Sequence, residues 1–100
     1  MATATVDIGT MIVETPGTCG GRPRIAGHRI TVRLIAGFYR RGQSPEEIAA
    51  NYESLSLAQI YVALAYYHAN RDSLDRLFRE EEEEENRLEM DSRSTHSKHA

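Results

Sequence analysis

Ser44-Pro45-Glu46-Glu47-Ile48-Ala49-Ala50-Asn51-Tyr52-Glu53-Ser54-Leu55-Ser56-Leu57-Ala58-Gln59-Ile60-Tyr61 contains two helix starts in close succession. In the first, Ser44 is placed to cap, Pro45 occupies the first helical position, where its missing N–H costs nothing, and Glu47 stands three residues after the cap. In the second, Ser56 and Gln59 repeat the capping-box spacing, and Leu55 can pack on Ile60 as a hydrophobic staple. A short helix burying Ile48, Ala49 and Tyr52, a turn through Glu53-Ser54-Leu55, and a longer helix from Leu57 to Ala69 follow. That succession is what a helix-turn-helix requires, although helical bundles that touch no nucleic acid contain it too.

Upstream, Thr31 can cap another helix, whose apolar residues Val32, Ile35 and Phe38/Tyr39 recur at helical spacing. Gly42 falls where a left-handed C-terminal cap is expected. Before it, Thr10 to Glu14 has the β-branched, apolar character of a short strand, ended by Pro16-Gly17. A glycine-rich loop, Cys19 to Pro23, leads into a second extended piece, Arg24 to Ile30, interrupted at Gly27. Downstream, Asn70 can cap a fourth helix containing Leu74, Leu77 and Phe78. Arg76 with Glu80 and Arg79 with Glu83 support it at i,i+4, while the run Glu80 to Glu85 sets like charges one turn apart.

The expected fold class is therefore mainly α: short N-terminal strands, then a helix-turn-helix-containing helical bundle and a C-terminal acidic helix. The expected organisation is a flexible arm over 1–9, one domain over 10–69, an acidic helical extension over 70–90 and a disordered tail over 91–100, where Ser, Thr, His and Lys predominate.

One hundred residues suffice for one domain, and a core drawn from part of them is marginal for a lone chain. A homodimer is expected for that reason and for the apolar, Tyr-rich third helix. The single Cys19 cannot form an internal disulfide, the N-terminus lacks an export signal, and the longest apolar stretch, Ile60 to Tyr67, is far short of the roughly 20 residues that span a bilayer. A cytoplasmic location and no membrane partner are expected.

The formal net charge of −3 conceals an asymmetry: up to Pro45 six arginines face Asp7 and Glu14, and from Glu46 onward thirteen acids face six bases. One end then suits a polyanion and the other a basic protein surface; alternatively, the negative charge is one Glu run on a solvated helix. The third helix offers no Arg or Lys to a groove, so Ser56 and Gln59 are its only polar candidates near the start, and both belong to the cap. The better phosphate-contacting candidates are Arg22, Arg24, His28, Arg29 and Arg33. The alternative for these arginines is that they satisfy loop carbonyls or pair with the acidic helices. Tyr66, Tyr67, Leu74, Leu77 and Phe78 are the candidate partner-binding residues.

Gly20-Gly21-Arg22-Pro23-Arg24-Ile25-Ala26-Gly27-His28-Arg29-Ile30-Thr31-Val32, Gly42-Gln43-Ser44-Pro45-Glu46-Glu47-Ile48 and Leu57-Ala58-Gln59-Ile60-Tyr61-Val62-Ala63-Leu64-Ala65-Tyr66-Tyr67 together resemble the domain-of-unknown-function family numbered four hundred and thirty-three, over about Met11 to Tyr67. The resemblance implies a homeodomain-like helix-turn-helix, a grouping with VapB-like antitoxins and a neighbouring PIN-like nuclease toxin as partner; operator DNA is the second candidate partner, offered by the helix-turn-helix spacing and the basic segment. The family often carries Thr where this chain has His28. The long Glu-rich extension lies outside the shared core. The rival reading is a stand-alone helix-turn-helix regulator or interaction module without a toxin.

No enzymatic constellation emerges. Cys19 beside Gly20-Gly21 with His28 as base lacks an orienting third group. His96 and His99 are loosely spaced, and one helical run of glutamates cannot aim its carboxylates at one ion. No catalytic residue, metal ligand or cofactor is expected.

Overall fold

A computed structural model describes residues 5–99 of the chain, without the side chains of 91–99. Of the expected arm, residues 1–4 lie outside the described residues; Ile8–Thr10 form one turn of 3-10 helix, capped by the Asp7 carboxylate on the Gly9 N–H at 2.9 Å. Two short strands follow, β1 (Ile12–Val13) and β2 (Arg24–Ile25), antiparallel with Ile12 opposite Ile25 and Val13 opposite Arg24.

Both strands are shorter than the extended pieces expected from composition. For β2 the reason lies at Gly27, whose φ of +81° lets the chain reverse: the His28 N–H donates to the Ile25 carbonyl at 3.0 Å, and Ile25 N–H to the Ile30 carbonyl at 2.9 Å. Arg24 thereby bridges to Thr31 as well as pairing with β1. The ribbon is too small to stand alone in water and packs on the helices instead.

Thr31 caps α1 (Val32–Arg40), its hydroxyl accepting from the Leu34 N–H at 3.1 Å. At the other end, Gly42 adopts φ +97°, and the Gln43 N–H reaches the Phe38 carbonyl at 3.2 Å while Gly42 N–H reaches Tyr39 at 3.0 Å. This is the double bond of a Schellman motif, available because Gly tolerates the left-handed region.

α2 (Pro45–Asn51) starts with the full capping box: Ser44 Oγ accepts from Glu47 N at 3.1 Å, and Glu47 Oε1 accepts from Ser44 N at 3.2 Å. α3 (Leu57–Ala69) has the same reciprocal pair between Ser56 and Gln59, at 3.1 and 2.7 Å. α3 is the central element of the first compact unit, Met1–Ala69, packing on α1, α2, β1 and β2. Its Ile60, Ala63, Leu64 and Tyr67 join Ile25, Val32, Ile35, Ala36, Ile48 and Leu55 in the core. Each large aliphatic side chain buried there contributes about 1.5–3 kcal/mol, which ties the ribbon and three helices into one core.

The second unit is Asn70–Ala100, formed by α4 (Arg71–His99). The Leu74 N–H donates to the Asn70 carbonyl at 3.2 Å, so the helix opens at the expected residue. Its backbone continues helically past Met90, where composition had suggested an unstructured tail; no Gly or Pro interrupts the stretch from Arg71 to His99. No helix among the described residues is long and apolar enough to cross a membrane.

Candidate functional site

Three surfaces hold the residues singled out by sequence. The first is the basic loop around β2. Arg22 and Arg29 are exposed, while Arg24, His28 and Arg33 are half-buried. Arg24 is held within its own loop: Nη1 donates to the His28 carbonyl and Nη2 to Thr15 Oγ1, both at 3.0 Å. One guanidinium thus joins the strand-ending segment after β1 to the turn after β2, the carbonyl-satisfying role open to it from sequence. Across the same loop, the Cys19 thiol donates to the Arg29 carbonyl at 3.4 Å. Cys19 itself adopts φ +52°, an uncommon conformation for a residue with a Cβ.

The second surface is the capped pair α2 and α3. Ser56 and Gln59 are engaged in the cap, so Gln59 Oε1 is committed to the Ser56 N–H. Tyr67 is buried, edge-on to Tyr39 at 6.4 Å between ring centres, and half-buried Tyr66 donates its hydroxyl to Glu14 Oε1 at 3.1 Å. Burial, and then the Glu14 carboxylate, push the Tyr66 hydroxyl above its ordinary pKa. Tyr61 behaves differently: it is 49% exposed and donates to Glu46 Oε1 of α2 at 2.8 Å. That bond is the main cause holding Glu46 below the ordinary carboxylate value and raising Tyr61 above the ordinary phenol value. Leu57, one turn before Tyr61, is also exposed.

The third surface is α4. Of the expected partner-binding stripe, Leu74 and Phe78 are buried and Leu77 is half-buried. Leu88 and Met90 are exposed instead, beyond the glutamates of 80–85. Among the described residues, no group of three or more His, Cys, Asp or Glu side chains converges as a metal site.

Sequence reasoning passed over Leu57, Tyr61, Leu88 and Met90. A signal for the first two was available: α3 is apolar around its whole circumference, more than one core-facing stripe can absorb.

An N-terminal two-stranded ribbon set against three capped, mutually packed helices defines a small, mainly helical domain. Residues 12–67, more than half of the chain, match the family model described as protein of unknown function (DUF433), and this chain belongs to that family. The matched segment runs from the start of β1 into the last turn of α3 and leaves α4 outside. The crystal structure at 2.00 Å resolution of a DUF433 member protein from Anabaena variabilis ATCC 29413 is similar, with 36% sequence identity and a TM-score of 0.61. That similarity covers 66% of this chain and 65% of the Anabaena protein, just under two thirds of its length. No curated protein matches this sequence.

Proposed function

We propose that this chain is the antitoxin-like member of a bacterial toxin–antitoxin pair, a protein without catalytic activity that binds a PIN-like nuclease toxin and also contacts operator DNA. The observation that carries this reading is α4, on which Leu88 is 60% exposed just beyond six consecutive glutamates at 80–85. An enzyme that cleaves a polyanion needs a basic surface, and an amphipathic acidic helix with an apolar anchor is complementary to it in charge and shape. Leu88 lies on the same line of the helix as half-buried Leu77, about three turns further along, so the two anchor one face. The choice of a PIN-like toxin comes from the resemblance to VapB-like antitoxins.

DNA contact falls to the basic loop rather than to α3. The capped pair α2–α3 has the succession of a helix-turn-helix, but α3 carries no Arg or Lys to address guanine or phosphate. Arg22 and Arg29 of the loop are exposed and supply the positive charge.

The test is co-expression of the chain with the product of the adjacent gene, expected to be a PIN-like nuclease, followed by co-purification and an RNA-cleavage assay. A stable complex with suppressed cleavage is expected. A nuclease whose cleavage is unchanged by excess chain would overturn the reading and favour the stand-alone regulator.

A further inference from the structure

α3 has six exposed positions: Leu57, Ala58, Tyr61, Ala65, His68 and Ala69. At about 100° per residue they fall on roughly one third of the helix circumference, a single face. None of the thirteen residues from Leu57 to Ala69 is Asp, Glu, Lys or Arg. The order of sizes along this face reads large, small, large, small, large, small. Reversing the helix and sliding it until residue 61 meets residue 65 sets Leu57 against Ala69, Ala58 against His68, and Tyr61 against Ala65.

Every large side chain then meets an alanine. A two-fold axis requires that if position i meets j, then j meets i, so a face that pairs with its own copy must complement its own reversal. We propose that two copies of this chain form a homodimer by packing α3 against α3 antiparallel, about a two-fold axis level with residue 63.

The self-complementary sizes select a second copy, and charge places the two-fold on this face rather than elsewhere on the chain. The basic loop and the acidic helix would each meet like charge across a two-fold, whereas the α3 face meets none. The large groups are also held before they meet. Tyr61 is tethered by its 2.8 Å bond to Glu46, and the His68 ring stands edge-on to Tyr39 at 5.4 Å, so little side-chain freedom remains to be lost on association.

The dimer requires neither toxin nor DNA, and its failure leaves the antitoxin reading standing. Sedimentation equilibrium of the full chain at micromolar concentration, with far-UV circular dichroism as the folding control, provides the test. The unaltered chain is expected to be a dimer. Tyr61→Ala should raise the dissociation constant about 30-fold or more, as loss of an interface anchor does. Ala65→Glu, which sets a carboxylate against Tyr61 of the copy, should give a folded monomer.

Ala65→Tyr alone should also weaken the dimer by crowding two large rings. The double variant Tyr61→Ala, Ala65→Tyr should recover association, because large and small merely exchange places across the axis. A monomeric unaltered chain, a dimer indifferent to Ala65→Glu and Tyr61→Ala, or a double variant no better than its parents would each overturn the proposal.

Discussion

Arg24 and its neighbours Arg22 and Arg29 show how little residue type alone decides. All three lie within one basic segment, yet Arg24 is half-buried with two guanidinium nitrogens donating inside the loop, and the other two are exposed. Removing Arg24 leaves a carbonyl and a hydroxyl without their donor, so Arg24→Ala should lower unfolding free energy by about 1–3 kcal/mol, read from urea denaturation. Arg22→Ala and Arg29→Ala should stay within about 0.5 kcal/mol of the parent, as exposed substitutions do. On duplex DNA the order reverses in meaning: each exposed arginine lost should weaken binding across sequences and reduce the slope of log affinity against log salt by about 1. Affinity that survives loss of both Arg22 and Arg29 would remove this loop from the DNA interface.

At the scale of elements, the two capping boxes set where α2 and α3 begin, and therefore how the chain turns between them. Ser44→Ala removes the acceptor for the Glu47 N–H and should cost about 1 kcal/mol in a thermal or urea melt, with Ser56→Ala similar. An unchanged melting curve for both would mean that tertiary packing alone fixes the helix starts.

These starts were legible in the sequence because a cap is a local interaction between residues three apart, and the same holds for Thr31 and Gly42 around α1. The ribbon was only half legible. The interruption at Gly27 was readable, but the ties that Arg24 makes to partners four and nine residues away leave no periodic trace. The site residues were less legible still. Tyr66 and Tyr67 looked equivalent, but one hydroxyl is drawn to Glu14 and the other ring is buried; the apolar third helix pointed to an interface without singling out Leu57 and Tyr61, which are exposed. Pattern places a side chain on a helix face, and only the packing of neighbouring elements decides whether that face is covered.

For the whole molecule, the division between a core-bearing unit and an acidic helix beyond the family-matched segment assigns different physics to different surfaces. Charge acts over a distance of about a Debye length, roughly 8–10 Å at physiological salt, so in the proposed complex the glutamates of 80–85 set how fast the basic partner is captured. Apolar contact acts only after docking, so in the same proposed complex Leu88 sets how long the partner stays. With the co-expressed nuclease as ligand, Leu88→Ala should therefore raise the dissociation rate about tenfold or more with little change in association rate or in the melting curve, because the side chain is exposed in the free chain. Replacing Glu82, Glu83 and Glu84 by Gln should do the opposite, slowing association and flattening its dependence on salt while the dissociation rate stays nearly constant. Stopped-flow association and surface-immobilised dissociation, measured from low to physiological salt, separate the two effects. If Leu88→Ala leaves the dissociation rate unchanged and the glutamine variant leaves the salt dependence intact, α4 is a solvated helix and the nuclease is held elsewhere on the chain.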